Sequence, residues 1–426
     1  MKPMRATVVP TLIVVLTALQ VVPTAAQVPA PQMLEVDGRS MRALTVGLDA
    51  RQPGQPVVVF ESGAGTPLEN WASVLPGVTE FAPAVTYDRF GIGQSARDDE
   101  RPTPQRRVAH LQALLTALDV PPPYVLVGHS WGGPLIRFFA GAYPDEVAGM
   151  VYVDPTDAEL TRDDWVAVFE SIGAGAAQYD EFMAVQKQFY AQAPPGIQDE
   201  TDVFLAFMES DLGSRAVPPS PDVPIAVLLA AKYEPLPPGL ELSFEYKSFH
   251  AAWVRQRIQR FSQWVLEAPE ATLTLATHAG HYIHFDDAAL VVEAIRRVSF
   301  PSVALQLVKA IDAGGTALLA EKYHTLQSYY PAERFDEVLL NTLGYILLRE
   351  GREDDAIAVF ELNAGEYSGA ANPHDSLGDA YSAAGRLDEA MESYGRAVEL
   401  GEAQGHPSLS VFQANFERVS QQLKEE

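Results

Sequence analysis

Short apolar runs alternate with amphipathic segments over the first two thirds of the chain. Trp71–Phe81, Arg106–Leu118 and Leu135–Ala142 are predicted to be helices. Met33–Val36 and Arg42–Val46 flank the turn dipeptide Asp37-Gly38 and predict a β-hairpin. Continuous apolar strands separated by helices are typical of a parallel sheet that is covered on both faces. The predicted buried strands are Val57–Phe60, Ala84–Tyr87, Tyr124–Val127, Gly149–Val153, Ile225–Leu229 and Thr272–Ala276.

The alternation stops between the fourth and fifth of these strands. Residues 157–222 are predicted to be helical, carry many aromatic side chains and end in a proline-rich stretch, Pro218–Pro224. This pattern indicates a helical cap inserted into the sheet domain. Its aromatic residues either line an apolar substrate pocket or form the small core of the cap itself, and the sequence favours neither.

A different sequence pattern, with an internal repeat, begins after Pro301. Leu343 recurs at Leu377, Gly351 at Gly385, and Ala356 at Ala390, each pair being 34 residues apart. This period is typical of helix–turn–helix repeats of the tetratricopeptide type. We therefore expect a sheet domain with its cap over residues 27–300 and an all-helical repeat region over residues 301–426.

The N-terminus has the features of an export signal. A short positive start is followed by an apolar run, Val8–Val22, and by small residues ending at Ala26. The run is shorter than the roughly 20 residues of a membrane-spanning helix, so residues 1–26 are predicted to be a cleavable signal peptide. No other stretch is predicted to cross a bilayer. We expect a secreted or periplasmic protein with no stable membrane insertion after cleavage.

The charge and composition of the chain argue against several classes of partner and chemistry. The formal net charge is -26, which argues against nucleic acid or an anionic membrane as a partner. The chain has no cysteine, which excludes disulfides and thiol chemistry. Neither a phosphate-binding loop nor a dinucleotide fingerprint is present, so no cofactor is expected.

The strongest chemical signal is Gly128-His129-Ser130-Trp131-Gly132, which stands directly after a buried strand and before a helix. In a G-x-S-x-G turn of this kind the serine hydroxyl is exposed near a helix N-terminus, and the glycines allow close backbone approach. Ser130 is therefore the predicted nucleophile.

A serine nucleophile needs a base that is oriented by an acid. His281 follows the last strand, where the base is expected. Asp154 follows the strand Gly149–Val153 and is the favoured acid, while Glu234 follows the next strand and is the alternative. Two further histidines, His278 and His284, are interpreted as supporting residues, and no metal site is expected.

Backbone amides are predicted to complete the site. Trp131 follows the nucleophile and would supply one N–H to an oxyanion, and Ala64, in the glycine-rich loop after Val57–Phe60, would supply the other.

Four segments in order resemble the α/β-hydrolase superfamily: Phe60–Gly65, Tyr87–Ser95, Gly128–Gly133 and Gly280–Asp286. The resemblance implies that fold over about Leu34–Val298. Relatives usually carry His-Gly where this chain has Ser62-Gly63. Haloalkane dehalogenases, which resemble this chain in fold, place their acid after the strand matching Gly149–Val153, in line with Asp154. Dehalogenases and epoxide hydrolases of this fold use an aspartate nucleophile, so Ser130 disfavours both activities.

The resulting hypothesis is a serine hydrolase that cleaves a small to medium carboxylic ester through an acyl-enzyme. One alternative is a proline-type aminopeptidase, whose substrate ammonium would need cap acids such as Glu159, Glu170, Asp180 or Glu181. A second is a non-catalytic binding protein that uses its tail. The helical tail resembles those attached to some exported bacterial hydrolases and is expected either to bind a protein partner or to self-associate.

Overall fold

In the computed structural model the described residues are 29–209, 217–236, 239–268 and 270–425. They divide into two compact units, one containing residues up to Arg51 and Gln55–Ser299, the other containing Gln52–Gly54 and Phe300–Glu426. The predicted signal peptide, residues 1–26, lies outside the described residues.

The first unit is built on a sheet of eight strands among its described residues. The strands are β1 Gln32–Val36, β2 Arg39–Val46, β3 Val57–Glu61, β4 Ala84–Tyr87, β5 Tyr124–His129, β6 Val147–Val153, β7 Ile225–Ala230 and β8 Thr272–Ala276. Their spatial order is β1-β2-β4-β3-β5-β6-β7-β8. The β1–β2 hairpin and the β2–β4 pair are antiparallel, and the other neighbouring pairs are parallel.

Each central strand sends its side chains alternately into two cores, which explains the continuous apolar runs. Val57 and Val59 of β3 join one core, and Val58 and Phe60 join the other. The first core is covered by α2 (Pro104–Ala117), α3 (Gly132–Ala142) and α7 (Tyr246–Glu267). The second is covered by α1 (Leu75–Val78) and α9 (Ala288–Ser299), and the short helix α8 (Ile283–Asp286) precedes α9. The predicted two-sided covering of a mostly parallel sheet is confirmed.

The helix expected over Trp71–Phe81 is wrong in extent. The structure has a 3₁₀ turn, Leu68–Trp71, followed by the single helical turn of α1. Pro76 lies in the first turn of α1 and Gly77 follows it, and glycine is a poor helix former. Apolar spacing alone therefore overestimated this helix.

The described residues of the segment inserted between β6 and β7 form three helices. They are α4 (Arg162–Glu170), α5 (Ala176–Tyr190) and α6 (Pro195–Glu209). A capping box begins α4, where Thr161 and Asp164 each bond the other's backbone N–H. Part of the predicted cap, residues 210–216, lies outside the described residues.

One helical stretch in the described part of the chain, Ala288–Gln327, is long and apolar enough to cross a membrane by composition. It comprises α9, α10 (Val303–Gly314), a 3₁₀ turn and α11 (Leu319–Gln327), and none of these helices exceeds 12 residues, whereas a span needs about 20. Val291 and Ile295 of α9 are fully buried in the core of the sheet unit, as expected for a core helix.

The regular structure of the second unit is helical over its described residues. The helices after α10 are α11 Leu319–Gln327, α12 Glu337–Arg349, α13 Glu353–Glu366, α14 Ala371–Ala383, α15 Leu387–Gln404 and α16 Leu409–Glu425. Two successive helix pairs, α12 with α13 and α14 with α15, have a tetratricopeptide-like arrangement and are followed by α16.

The 34-residue period of the sequence is reproduced in atomic contacts. A Cβ at Gly344 would overlap the ring of Phe360, and a Cβ at Gly378 would lie 2.6 Å from the ring of Tyr394, so both partners recur 34 residues later. Small residues at these positions let the two helices of each pair approach closely. The repeated residues therefore serve the same packing in both pairs.

Candidate active site

Ser130 stands on a strained turn between β5 and α3. Its φ is 52°, in the left-handed region that non-glycine residues rarely adopt. A Cβ at Gly128 would lie 2.5 Å from the carbonyl oxygen of Gly132, and a Cβ at Gly132 would overlap the carbonyl of Glu61. Glycine is required at both positions because the strand, the turn and the helix meet without space for a side chain. The sequence signal and the geometry of the turn agree.

His281 and Asp154 form a hydrogen-bonded pair. The Nδ1 atom of His281 lies 2.7 Å from Oδ2 of Asp154, although the residues are 127 positions apart in the sequence. Since an ionised carboxylate only accepts, Nδ1 carries the proton and Nε2 is left as the basic nitrogen. The imidazole is thereby held in the tautomer that a general base requires.

Asp154 is held ionised by its surroundings. It follows β6, and its other oxygen, Oδ1, accepts from Nη1 of Arg257 at 2.7 Å and from the N–H of Ala230 at 2.8 Å. Burial alone would raise the pKa of this carboxyl, but the charge of Arg257 and the bonds from His281 and Ala230 outweigh it and lower the pKa. Asp154 is thus anionic at neutral pH.

Arg257 is not among the site residues predicted from the sequence. The residue is buried on α7 and also donates from Nη2 to the carbonyl of Pro155 at 3.1 Å. It lies 103 positions from Asp154 in the sequence. No periodicity or motif marks such a pair, because a lone arginine on an amphipathic helix looks like an ordinary surface residue.

Glu234 lies near the imidazole loop without bonding the ring. A Cβ at Gly280 would lie 2.7 Å from Oε1 of Glu234, so the carboxylate faces the backbone that precedes His281. Its charged partner is Lys232, with Nζ at 3.8 Å, and its side chain is 39% exposed. Of the two candidate acids, Asp154 is the one in contact with His281.

His129 links the nucleophile turn to the imidazole loop. It precedes Ser130, and its Nε2–H donates to the carbonyl of His281 at 3.0 Å, with the two rings 4.7 Å apart. Burial, together with the neighbouring His284 and His281, holds the pKa of His129 well below its usual range, so this ring stays neutral. The contact brings the loops that carry Ser130 and His281 side by side.

The two other histidines of the loop have different surroundings. His278 is exposed, and its Nε2 lies 2.7 Å from Oδ2 of Asp287. His284 is fully buried against the ring of Trp71, with centroids 4.9 Å apart, and burial lowers its pKa to about 3. These histidines do not converge on one point, which leaves them as supporting residues of the loop.

The predicted oxyanion residues lie on either side of the serine. A Cβ at Gly63 would lie 3.3 Å from the Cβ of Ser130, so the glycine-rich loop after β3 faces the nucleophile directly. Ala64 and Trp131 are both buried in one apolar cluster. Among the described residues neither of their backbone N–H groups has a hydrogen-bond acceptor. Both donors are therefore available to a developing oxyanion.

The aromatic residues of the cap form its own core. Trp165, Phe169 and Tyr179 are buried together, and the cluster extends to Phe249 and Trp253 of α7. The rings of Trp165 and Trp253 stack with centroids 4.0 Å apart. Of the two interpretations of the cap aromatics, the structure favours the packing one for this group.

The cap carboxylates that an aminopeptidase would need are dispersed. Glu159 pairs with Arg137 at 2.7 Å, and Asp180 pairs with Arg162 at 2.8 Å on the surface. Glu181 bonds the side chain of Ser243. Glu170 is exposed at the end of α4. These four acids do not gather around a common point that would bind a substrate ammonium.

Comparison with known proteins agrees with this architecture. The sequence profile described as the alpha/beta hydrolase family matches residues 58–294. The chain belongs to this family. The predicted fold class is confirmed, since that profile covers the sheet unit from β3 onwards and a tetratricopeptide repeat profile matches residues 373–402 in the helical unit.

Individual relatives in this hydrolase family differ in activity. The chain is 38% identical over 98 residues to the uncharacterized protein YqjL of Bacillus subtilis, covering 23% of this chain and 39% of that protein. It is 34% identical over 135 residues to an esterase of Mycobacterium tuberculosis, covering 32% and 43%. It is 26% identical over 174 residues to a haloalkane dehalogenase of Sphingobium indicum, covering 39% and 56%. In each comparison the chain spans less than two thirds of the relative.

Similar solved structures include a serine hydrolase involved in carbazole degradation. That protein is 18% identical to this chain, with a TM-score of 0.41, and the similarity covers 63% of this chain and 98% of the other. An epoxide hydrolase has a TM-score of 0.43 at 14% identity over 63% of this chain and 98% of its own.

Proposed function

We propose that the protein is a serine hydrolase that cleaves a small to medium carboxylic ester through an acyl-enzyme on Ser130. The observation that carries the proposal is the 2.7 Å contact between Nδ1 of His281 and Oδ2 of Asp154, in a loop that packs against the turn bearing Ser130. A histidine oriented in this way has the chemistry of a general base for a neighbouring hydroxyl.

In the first half of the reaction, Oγ of Ser130 attacks the carbonyl carbon of the ester while Nε2 of His281 takes its proton. The carbonyl oxygen becomes an oxyanion and accepts hydrogen bonds from the N–H groups of Ala64 and Trp131. Asp154 stabilises the imidazolium that forms. The carbon–oxygen bond to the leaving group then breaks, and the alcohol departs with the proton from His281.

In the second half, water replaces the alcohol. His281 removes a proton from the water, whose oxygen attacks the acyl carbon, and the resulting tetrahedral species again places its negative charge on the two backbone donors. Collapse breaks the bond to Ser130, and the proton returns to its Oγ. The products are a carboxylic acid, an alcohol and the free enzyme, and no cofactor is needed to balance the reaction.

The identity of the nucleophile favours ester cleavage over the activities of several relatives. Family members include an esterase and a haloalkane dehalogenase. Dehalogenases and epoxide hydrolases of this fold use a carboxylate nucleophile, whereas this chain has a serine at position 130. A serine acyl-enzyme suits a carboxylic ester, and the match to the esterase supports that substrate class.

The test is a panel of p-nitrophenyl esters of increasing acyl length, with proline p-nitroanilide measured alongside. We expect a pre-steady-state burst and turnover with short or medium acyl chains and no release of nitroaniline. Turnover of the anilide in preference to every ester would instead support the aminopeptidase alternative. Absence of turnover with all of them would favour the binding-protein alternative.

We also propose that the enzyme is exported. The support for this is the sequence of residues 1–26, with its positive start, apolar run and small residues before the expected cleavage point. The absence of cysteine means that such an exported enzyme relies on packing and ion pairs for its stability.

A further inference from the structure

A buried ionic network connects the cap to the loop that bears Ala64. Arg89 follows β4 and Glu200 lies on cap helix α6, and their side chains are 2% and 0% exposed. Arg89 donates from Nε to Oε2 of Glu200 at 2.8 Å and from Nη2 to Oε1 at 2.6 Å. Such a two-point pairing fixes the plane of the guanidinium.

The same guanidinium binds the backbone of the oxyanion loop. Nη1 of Arg89 donates to the carbonyl of Ser62 at 2.7 Å, and Nη2 donates to the carbonyl of Gly63 at 2.6 Å. The carbonyl of Gly63 and the N–H of Ala64 belong to one planar peptide unit and point in opposite directions. By holding that carbonyl, Arg89 fixes the direction of the Ala64 N–H.

A charged donor on the carbonyl also strengthens the donor at the other end of the same amide. Hydrogen bonds in a chain polarise one another, so an arginine on the oxygen makes the N–H a better donor to an anion. The carbonyl of Gly63 is further held by Oγ1 of Thr66 at 2.9 Å. The peptide is therefore both oriented and polarised before any substrate arrives.

Helix α6 is seated on this loop through backbone contacts. Oε1 of Glu200 accepts from the N–H of Gly65 at 2.9 Å. A Cβ at Gly196 would overlap the carbonyl of Gly91, and a Cβ at Gly65 would lie 2.7 Å from the side chain of Ile197. The first turns of the helix thus lie directly on the segments that flank Arg89 and Ala64.

The helix also supports the second oxyanion residue. The rings of Phe204 and Phe207 each lie 5.4 Å from the ring of Trp131. One face of α6 therefore contacts both the loop of Ala64 and the side chain of Trp131.

We propose that Arg89 is a positioning residue of the oxyanion hole and that Glu200 of the cap holds it in place. The proposal rests on the acyl-enzyme function proposed above. In this arrangement the cap contributes to transition-state stabilisation through α6, in addition to covering the site.

The matched pair of variants is Arg89→Lys and Arg107→Lys. Like Arg89, Arg107 is 2% exposed and pairs with Glu200, with Nη2 of Arg107 lying 2.8 Å from Oε2 of Glu200. Unlike Arg89, it donates its other hydrogen bond to the carbonyl of Phe90 and has no bond to the oxyanion loop. Lysine keeps the charge at either position, but at position 89 it cannot bond two carbonyls and the carboxylates of both Glu200 and Glu61 at the same time. Both variants should lose thermal stability.

Activity should separate the two variants. For Arg89→Lys we expect kcat on a p-nitrophenyl ester to fall by about 10- to 100-fold with KM within twofold, since loss of a whole donor costs about 10² to 10³. The inhibition constant of a trifluoromethyl ketone, whose adduct with Ser130 carries an oxyanion, should rise by a similar factor. Arg107→Lys should keep kcat and the ketone constant within about threefold of wild type.

Glu200→Gln is the second variant and tests the proposal if Arg89→Lys does not fold. Glutamine retains an acceptor for the N–H of Gly65 but removes the charge that pairs with Arg89. We expect kcat to fall with KM unchanged, by less than in Arg89→Lys. Two results would overturn the proposal. One is that folded Glu200→Gln has the same kcat and the same ketone inhibition constant as wild type. The other is that folded Arg89→Lys and Arg107→Lys have equal values of both constants.

Ester turnover of wild type and of Ser130→Ala is measured alongside, so that failure of this inference can be distinguished from failure of the proposed function. If wild type turns over and Ser130→Ala does not, the serine mechanism stands whatever the arginine variants do. If wild type cleaves no ester and forms no ketone adduct, the proposed function and this inference are both overturned.

Discussion

Ser130 and Asp154 share an unusual backbone conformation at the ends of neighbouring strands. Their φ angles are 52° and 43°, and the N–H of Ser130 donates to the carbonyl of Val153 at 3.2 Å. Left-handed conformations at non-glycine residues cost of order 1–3 kcal/mol and are concentrated at functional sites. Here both turn the chain sharply at the carboxyl edge of the sheet, which is where ligands of parallel sheets bind.

The role of the acid is tested by Asp154→Asn against Glu234→Gln. Asparagine retains the size of the side chain but can present its amide to Nδ1 and favour the wrong tautomer. We expect kcat to fall by about 10⁴ in Asp154→Asn, by analogy with the aspartate of other triads, and by less than twofold in Glu234→Gln. Ester hydrolysis of both folded variants provides the measurement. The reverse order of losses would make Glu234 the acid.

The buried carboxylate of Glu200 predicts a specific pH dependence of stability. Burial would raise its pKa, but Arg89 and Arg107 lower it from 4.5 to about 2. Because the folded-state pKa is depressed, the stabilisation is complete above about pH 4.5 and is lost as the pH falls towards 2. At pH 7, Glu200→Gln should lower the free energy of unfolding by about 3–5 kcal/mol.

The measurement is a series of urea titrations of wild type and Glu200→Gln between pH 7 and pH 3. The difference between the two free energies of unfolding should shrink below pH 4.5. A difference that stays constant over this range would contradict the depressed pKa.

Helices and strands differ in how far the sequence predicted them. The strands were predictable because burial on both faces gives continuous apolar runs, such as Tyr124–His129. Helix α6 was predictable only as part of a helical cap. Its role depends on Glu200, which bonds Arg89 although the two residues are 111 positions apart in the sequence. A single glutamate on an amphipathic helix does not reveal that it has a buried partner.

The helical repeat makes its own prediction at the level of a helix pair. Gly378→Ala would place a Cβ 2.6 Å from the ring of Tyr394, forcing α14 and α15 apart. Overpacking of this kind costs about 1–3 kcal/mol. Gly365→Ala is the matched control, since nothing lies within 4 Å of its Cβ and alanine favours the helix by up to about 1 kcal/mol.

Hydrogen–deuterium exchange of the two alanine variants would locate the effect. Protection should decrease over residues 371–404 in Gly378→Ala and remain at the wild-type level in Gly365→Ala. Equal protection in both variants would contradict the assigned packing.

For the molecule as a whole, the fold could be predicted from the sequence because it depends on local patterns. Ser130, Asp154 and His281, the candidate nucleophile, acid and base, each follow a strand that can be recognised in the chain. Arg257, Arg89 and Glu200 could not be assigned, because their contacts join distant segments of the sequence. The net charge of -26 gives no information on where the site lies.

Export is a prediction about the whole chain. When the full-length protein is expressed in a bacterium with a general secretion pathway, the mature form should begin at Gln27 and be found outside the cytoplasm. Mass spectrometry of the N-terminal peptide in each fraction provides the measurement. An uncleaved chain that remains with the membrane would indicate a retained anchor instead.

The proposed chemistry depends on Ser130 being a nucleophile that His281 activates. This can be measured by intact-protein mass spectrometry after incubation with a fluorophosphonate probe, followed by peptide mapping. We expect one adduct per folded chain, located on Ser130, and no adduct in Ser130→Ala. Ser130 is not the nucleophile if folded wild-type protein takes up no probe, or if the probe is found on another residue and Ser130→Ala is labelled to the same extent.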